Sequence, residues 1–387
     1  MIQLALKDIN KLLLYKQHLT GETRTQNLVE LVRDIAGLHA TIPMTPYLSL
    51  FARTDNFAKK LLDEELYVRK RLGKIRSIRK TLYIFPQELI PAFHMATKRM
   101  NEKQSKKALE YQGISFDTYQ AISDSIIKIL REKNEEMTTL EIKKALHTEL
   151  NISYILYLMC SQKLIIRGTP RKYFLFKEYF PNLNLSRIDE PEAIAYLVHH
   201  YLQAFGPVTE KDIIWWTGLG KNLIKEALNR IQDEIIEVKV KDLDYDLLIL
   251  QSDINLIDRE GISADRSVVN LLPTLDSYIM GYKERERYFL SNNHINYVFD
   301  RTGNATSVIL SGGQIIGVWD INKETPFVLK FFLFEETEEN IRDLIAQKAS
   351  KVGKFICNTK VLVEECKSMI PLNERTAGSF MSPLKEK

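Results

Sequence analysis

Two side chains near the start of the sequence are of types that together can activate a water molecule. His39 and Thr41 are separated by a single alanine in the segment Gly37-Leu38-His39-Ala40-Thr41. An imidazole titrates near neutrality and can act as a general base, while a hydroxyl can hydrogen-bond to the same water. The same residues also fit structural roles, a partly buried histidine after an aliphatic helix and a threonine that caps a helix or turn. We therefore take His39 and Thr41 as candidate catalytic residues and keep both interpretations open.

A dense run of positive charge follows these two residues. Between residues 69 and 80 there are seven basic side chains and no acidic one. The cations are Arg69, Lys70, Arg71, Lys74, Arg76, Arg79 and Lys80. An ordinary solvated charge run near a helix end gives the same pattern. Because the run leads into a predicted strand at residues 81–85, we predict a basic β-hairpin whose cations bind DNA phosphates.

Other catalytic and cofactor patterns are missing from the sequence. It contains no Gly-x-Ser-x-Gly, Walker or Rossmann glycine motif. Cys160, Cys357 and Cys366 are widely spaced, and none stands at ligand spacing from a histidine. His199 and His200 are adjacent on a predicted helix, so they point to different faces. The sequence therefore predicts no metal site, no cofactor and no disulfide.

The elements that must position the candidate residues follow a repeated order. Between residues 191 and 250, three predicted helices precede a β-hairpin, and Thr209 marks the start of the second helix. The same order is predicted at residues 116–176, where Thr138 has the equivalent place. Three helices followed by a hairpin is the order of a winged helix, whose third helix can lie in a DNA groove. The repeat therefore predicts a DNA-binding architecture.

The whole chain is predicted to be α+β, with three tandem winged-helix units followed by a small C-terminal β-barrel, or else a curled sheet. The barrel is predicted because short β-rich runs separated by Asn and Gly turns begin after about Ser267. The predicted domains are residues 1–111 with a linking helix, 112–185, 186–264, 265–372 for the barrel, and 373–387 as a loose tail.

Composition limits the kind of partner and compartment. The 387 residues include 54 basic and 50 acidic side chains, so a net charge of +4 requires any nucleic-acid contact to come from a local patch. The odd number of cysteines fits a reducing compartment. No apolar run reaches the ~18 residues that span a bilayer, and the start lacks a signal-peptide pattern. We expect a cytoplasmic monomer that binds double-stranded DNA without a membrane or metal.

Several separated blocks of sequence carry a resemblance to a known family. They are Phe205-Gly206-Pro207-Val208-Thr209, Trp216-Thr217-Gly218-Leu219, the run from Leu271 to Tyr282, Gly313-Gln314-Ile315-Ile316-Gly317-Val318-Trp319, Pro46-Tyr47-Leu48-Ser49-Leu50-Phe51-Ala52-Arg53 and Arg79-Lys80-Thr81-Leu82-Tyr83. In these blocks the chain resembles the bacterial winged-helix DNA-binding proteins of the AlkZ-like, or azinomycin-resistance-type, DNA glycosylase superfamily. The resemblance implies three winged helices and a β-barrel around a concave, duplex-sized surface.

The resemblance also implies a reaction, from which this sequence departs at one place. In the glycosylases a Gln-x-Gln or Gln-x-Asp pair, standing where this chain has His39-Ala40-Thr41, is implied to hold a water against the anomeric carbon of an alkylated purine nucleotide. The expected function is thus that of a monofunctional DNA glycosylase, or a glycosylase-like lesion binder, acting on alkylated purines in duplex DNA. The alternative is a non-catalytic DNA-binding module or transcriptional regulator. Asp276 is a further candidate for a buried functional acid, although packing and hydrogen bonding fit it better.

Overall fold

The fold is α+β, as the sequence predicts. A computed structural model describes residues 2–169, 171–241, 243, 245–257, 265–284, 291–322 and 326–374. Nearly all of the predicted loose tail, from residue 375 onward, lies outside these ranges. Within the same ranges, no helix is long and apolar enough to cross a membrane.

The first segment, residues 2–111, holds the candidate residues on a small antiparallel sheet. Its elements are β1 Ile2–Leu4, α1 Leu6–Lys16, α2 Leu28–Asp34, β2 Leu38–His39, α3 Thr45–Arg53, α4 Lys59–Asp63, β3 Leu72–Arg76, β4 Leu82–Pro86 and α5 Ile90–Tyr111. The order in the sheet is β2-β4-β3. The helix α2 ends at Asp34, shortly before Ala36 and Gly37, which have positive φ values of 54° and 95°. This turn lets Leu38 and His39 pair with β4.

The second segment, residues 112–185, repeats helices and a hairpin. Its elements are α6 Phe116–Lys133, β5 Met137–Thr138, α7 Thr139–Ala145, α8 Ser153–Ser161, β6 Ile165–Arg167, β7 Lys172–Leu175 and α9 Phe176–Tyr179. The start of α7 was predicted from Thr138, and a capping box is present there: the Thr138 hydroxyl accepts from the Glu141 N–H, and the Glu141 carboxylate accepts from the Thr138 N–H.

The third segment, residues 186–257, has the same order of three helices and a hairpin. Its elements are α10 Glu190–Phe205, α11 Glu210–Thr217, α12 Lys221–Arg230, β8 Ile235–Val240, β9 Leu247–Leu250 and α13 Gln251–Ile257. Thr209 and Asp212 form the second capping box, and Gly218 ends α11 with a φ of 73°. The first strand of the chain, β1, pairs in parallel with β8 and so completes the sheet of this segment.

The C-terminal region forms an open sheet, so the predicted β-barrel is wrong. Its elements are β10 Val269–Leu272, α14 Ile295–Val298, β11 Val308–Ser311, β12 Gln314–Asn322, β13 Val328–Leu333, α15 Glu339–Cys357 and β14 Leu362–Glu365. Within the described residues, the sheet has five strands in the order β10-β11-β12-β13-β14, and its two edges do not pair with each other. The crossover helix α15 makes β14 parallel to β13 and shares a hydrophobic cluster with this sheet. Because this helix buries the apolar surface, the sheet does not need to close.

One strand predicted in this region is also wrong. One of the short β-rich runs after Ser267, residues 297–299, is not a strand: α14 ends at Val298, and Phe299 makes only an isolated bridge to Ala305. The short apolar run gave no helical period long enough to separate the two possibilities.

Among the described residues, the buried side chains form one large core and three smaller ones. The large core draws most of its residues from the first segment, the third segment and the C-terminal region, among them Phe93, Tyr201 and Val308, and the second segment contributes Ile166, Phe176, Tyr179 and Phe180. The core of the second segment is formed by residues between Leu109 and Leu175 alone. The first and third segments are thus joined by burial, whereas the second segment packs mainly on itself.

Candidate nucleic-acid interface

His39 lies at the end of the short strand β2, where three separate contacts fix the backbone. The backbone of Gly37 passes so close to the Phe85 ring that a Cβ at this position would lie 2.4 Å from it, so only glycine fits. The Ser277 hydroxyl donates to the Gly37 carbonyl at 2.6 Å, and the Ala40 N–H donates to the Leu82 carbonyl at 2.8 Å. The imidazole is therefore carried by a rigid strand rather than by a loop.

The His39 ring is buried and neutral. Its residue is 5% exposed, and its ring packs edge-on against Tyr83 with centroids 5.1 Å apart. Burial, together with the nearby Arg79 cation, lowers the pKa of His39 to about 4. Its Nδ1 atom is buried and has no hydrogen-bond partner within the described ranges. The residue is thus buried, as the structural interpretation required, but one of its nitrogens is left unsatisfied.

Thr41 is exposed in the bend between β2 and α3. The capping role that the sequence left open for it does not apply to α3, because the N-cap of that helix is Met44, which makes no side-chain cap. Its hydroxyl is two residues from His39, on the solvent side of the same segment. Thr41 is therefore exposed, whereas His39 beside it is largely buried.

The basic hairpin is present as β3 and β4, but two of its cations, Lys74 and Arg76, do not share a sheet face with His39. In the sheet, His39 is paired with Tyr83 and Tyr83 with Ile75, so these three side chains lie on one face. Lys74 and Arg76 alternate with Ile75 along β3 and therefore lie on the opposite face. A single face carrying both the imidazole and these two cations does not exist in this fold.

The first three cations are held by neighbouring side chains. Arg69 forms an ion pair with Glu64 at 2.7 Å, and Arg71 donates to the Glu65 carboxylate at 2.7 Å. The ammonium group of Lys70 lies 4.3 Å from the centre of the Tyr179 ring. Arg69 and Arg71 are half exposed, so both can still reach an anion at the surface.

Lys74 and Arg76 line a small cleft between the first and second segments. The cleft has a volume of about 80 Å³, and Lys163 and Arg167 of the second segment complete its cationic lining. The Arg76 guanidinium stacks on Tyr157 at 3.6 Å. Burial and the neighbouring Arg167 lower the pKa of Lys74 to about 8, and burial lowers the pKa of Lys163 to about 7. Four basic side chains thus line one cleft, and the Lys163 ammonium group already donates to the carbonyls of Arg76 and Cys160.

The tip of the hairpin folds back onto the helices instead of projecting as a free wing. Ser77 is fully buried and shares a hydrogen bond with Thr97 of α5, and the Asn101 amide donates to its carbonyl at 3.1 Å. Arg79 has a positive φ of 46° and places its guanidinium 4.0 Å from the Trp215 ring of the third segment. Lys80 is half-buried beside it, and its carbonyl accepts from the Arg76 guanidinium. Of the seven cations, Arg79 is the one whose charge acts on His39.

Asp276 is structural, as its sequence context favoured. The Arg53 guanidinium donates to both of its oxygens at 2.8 and 2.7 Å, and the Ser49 hydroxyl donates at 2.6 Å. Arg53 and Asp276 are both fully buried. The pair fastens α3 to the segment that also supplies Ser277 behind the His39 strand.

Sequence reasoning missed three groups that the structure brings to the candidate interface. Lys163 and Arg167 join Lys74 and Arg76, and Trp215, which packs partly buried against the large core, receives Arg79. Its neighbour Trp216 is fully buried in that core. The basic residues around the second hairpin were a visible signal for Lys163 and Arg167, but nothing local indicated that they meet the first hairpin.

The adjacent histidines His199 and His200 have different neighbours in the fold. His199 lies 3.1 Å from Glu234, while His200 contacts the Arg33 carbonyl at 2.8 Å, so the two rings point apart. The cysteines are all free. Among the described residues, no group of three or more His, Cys, Asp or Glu side chains could hold a metal ion.

Known proteins match this chain over most of its length. The family model of AlkZ-like DNA glycosylases matches residues 32–355. A Streptomyces sahachiroi protein named interstrand DNA cross-link repair glycosylase is 25% identical over 172 residues, which cover 43% of this chain and 44% of that relative. The match thus spans less than half the length of this curated relative.

The fold has a solved counterpart. The structure of Streptomyces sahachiroi DNA glycosylase AlkZ is similar with a TM-score of 0.77 at 17% identity, covering 94% of this chain and 100% of that one. The family match includes the His39 strand, the basic hairpin, Trp215 and the Arg53–Asp276 pair. The chain therefore belongs to the AlkZ-like DNA glycosylase family.

Proposed function

We propose that this protein is a monofunctional DNA glycosylase that removes alkylated purines from double-stranded DNA. The observation that carries the proposal is the family match over residues 32–355, which includes His39 and Thr41. A purine alkylated at N7 is cationic, so its base leaves as a neutral molecule and needs little acid catalysis. Water then has to attack the anomeric carbon as the glycosidic bond breaks, and a positioned acceptor for that water is the main requirement.

His39 and Thr41 are proposed to hold this water. Because the pKa of His39 is lowered to about 4, its imidazole is neutral at pH 7 and has a free lone pair without first losing a proton. The nearby Arg79 disfavours a second positive charge, so His39 would orient the water by accepting a hydrogen bond rather than take its proton early. Thr41, exposed on the same segment, would hold the water from the other side.

The basic residues are proposed to bind the phosphates on either side of the lesion. Arg69, Lys70 and Arg71 would act at the base of the hairpin, Lys74 and Arg76 in the cleft with Lys163 and Arg167, and Arg79 and Lys80 at its tip. We further infer that the three helix-and-hairpin segments act as winged-helix units, that the protein works in the cytoplasm as a monomer, and that the reaction needs no metal or cofactor. Binding should weaken steeply as salt rises, because phosphate contacts release counterions.

The test is base excision from a defined duplex. A duplex with one N7-methylguanine is incubated with the full chain, and abasic sites are measured by alkaline strand cleavage. The wild type should produce abasic sites, and His39→Ala should reduce the rate at least ~100-fold, the usual size of a loss of this kind of catalysis. His147→Asn removes an exposed histidine of the second segment and should leave the rate unchanged. The rate should vary little between pH 5.5 and 8, since His39 stays neutral over that range.

The burial of His39 and the replacement of the glutamine pair favour one competing function, a lesion-binding protein without hydrolysis. An intact duplex after prolonged incubation, with binding still selective for the modified duplex, would establish that alternative. Equal affinity for modified and unmodified duplex, with a preference for one base sequence, would instead identify a transcriptional regulator.

A further inference from the structure

A second cavity lies far from His39, between the first segment and the C-terminal helix α15. It has a volume of about 930 Å³ and is the size of a small-molecule site. Its lining includes the end of α3 and the loop after it, one edge of β10, and the exposed side of α15. The nine residues of α3 span about 13 Å, and the His39–Thr41 segment precedes the opposite end of that helix. Neither candidate catalytic residue and none of the seven hairpin cations lines this cavity.

Positive charge converges on this cavity from two parts of the chain. Lys348, Lys351 and Lys354 follow one another at three-residue steps on α15, which makes them neighbours on the helix surface. Arg24 reaches the same space from the loop before α2. Like charges at this spacing repel one another, although the C-terminal end of α15 favours Lys354 in its last turn. An anion between these side chains would reduce the repulsion.

The protein itself supplies little of that negative charge. The one lining carboxylate, Asp55, is paired with Arg24 at 3.1 Å. Within the described ranges, Lys348, Lys351 and Lys354 have no carboxylate within 4.0 Å. Lys348 is half-buried, and its burial together with Arg24 and Lys351 lowers its pKa to about 8. An anion in the cavity would oppose all three charges at once.

The apolar wall of the cavity is already packed. Phe355 stacks on Phe51 with centroids 4.5 Å apart, contacts Phe57, and lies under the Lys59 ammonium group at 5.1 Å. The Arg24 guanidinium also donates to the carbonyls of Ala52 and Thr54, which fixes it in the wall with N–H groups to spare. The groups left to recognise a ligand are therefore the lysines, the remaining N–H groups of Arg24 and the amide side chains of Asn56 and Asn358. This lining suits a small, highly charged oxyanion better than an aromatic ring.

We propose that the cavity between α3 and α15 is a phosphate-binding site, in which Arg24, Lys348 and Lys351 hold a ligand with at least two negative charges. Two sources supply such a group. One is the backbone of a DNA duplex that passes beyond the lesion, a case that rests on the proposed function. The other is a free polyphosphate, such as the phosphate chain of a nucleotide, which does not depend on it.

Binding measurements on the full chain test the site independently of base excision. The variant Lys348→Gln/Lys351→Gln removes two cavity charges, and Lys351→Glu changes an exposed residue that the fold does not need. The matched control is Lys360→Gln, which removes one exposed charge just beyond α15 and outside the cavity. Two probes are used: inorganic tripolyphosphate by calorimetry, and an unmodified labelled duplex by fluorescence anisotropy at 50 and 200 mM salt. Thermal melting checks that each variant is folded.

The two sources give different results. If DNA supplies the phosphate, the double variant should bind the duplex about tenfold more weakly at low salt, with the slope of log affinity against log salt smaller by about two. If a free polyphosphate is the ligand, tripolyphosphate binding should be lost in the double variant while duplex affinity stays unchanged. Lys351→Glu should weaken binding of whichever probe the double variant binds more weakly. Lys360→Gln should leave the affinities for both probes unchanged. The proposal would be overturned if the double variant and Lys351→Glu are both folded and bind both probes as tightly as Lys360→Gln does. Because neither probe contains a lesion, failure of base excision would leave these results unaffected.

Discussion

His39 combines three properties: it is buried and neutral, and its Nδ1 atom has no hydrogen-bond partner among the described residues. An unsatisfied buried nitrogen costs about 1–3 kcal/mol of stability. In this fold the cost is tolerated beside Arg79, whose charge also keeps the ring from accepting a proton. Strongly shifted pKa values are concentrated at functional sites, which supports His39 as a candidate functional residue.

The buried imidazole should make stability depend on pH in a defined window. The pKa of His39 is about 4 in the folded chain, below the ordinary value of 6.5. The unfolded chain therefore binds a proton first as the pH falls, so this contribution is complete above pH 6.5 and is lost toward pH 4. The difference corresponds to about 3 kcal/mol in the free energy of unfolding.

Urea unfolding of the wild type and His39→Asn at pH 7, 5.5 and 4 measures this effect. The wild type should lose more stability than the variant as the pH falls, because His94 and His200 have lowered pKa values in both proteins and cancel in the comparison. Parallel pH curves for the two proteins would show that His39 is not held neutral by the fold.

Among the elements, α3 links the candidate site to the rest of the molecule. The buried pair of Arg53 and Asp276 joins this helix to the segment that precedes Ser277. Removing one partner of a buried ion pair leaves the other charge without compensation, which costs about 3–5 kcal/mol. Asp276→Asn should therefore lower the free energy of unfolding by about that amount, measured by urea denaturation.

An exposed ion pair gives the control for this change. Arg342 contacts both carboxylate oxygens of Glu365, but about a third of each side chain is exposed. Glu365→Gln should cost less than about 1 kcal/mol, because solvent screens the pair. Similar losses for the two variants would mean that burial of the Arg53–Asp276 pair does not decide its contribution.

At the scale of the whole molecule, the distribution of the cores predicts that the second segment opens at a lower free energy than the rest of the described chain. The helices α6 and α8 of the second segment pack around their own core, whereas a larger core joins the other regions and takes in only four residues from the end of the second segment. We expect the backbone amides of α6 and α8 to exchange with solvent at a lower opening free energy than those of α10. Native-state hydrogen exchange measures both.

Two core variants test whether the second segment opens independently of the other segments. Ile155→Ala in α8 and Leu202→Ala in α10 each remove a fully buried side chain, at a cost of about 2–5 kcal/mol. The first should reduce protection in the second segment alone, and the second should reduce it in the first and third segments. Equal loss of protection everywhere in both variants would show that the chain opens as one unit.

The sequence by itself determined the local elements and the inventory of chemical groups. The capping boxes at Thr138 and Thr209, the turn at Gly218 and the basic hairpin all depend on residues within a few positions of one another. Hydrogen bonds and backbone conformations of that range are encoded locally, so they can be read from spacing. The family resemblance was also visible in the sequence, because its motifs are continuous blocks.

Only the tertiary structure decided how these elements face one another. It placed Lys74 and Arg76 on the sheet face away from His39, brought Arg79 to Trp215, and left the C-terminal sheet open. It also paired β1 with β8, more than two hundred residues later, and opened a cationic cavity between α3 and α15. These outcomes depend on burial shared by distant parts of the chain, and a one-residue change of strand register would reverse every face. The local spacing of residues in the sequence therefore does not predict which faces of these elements come together.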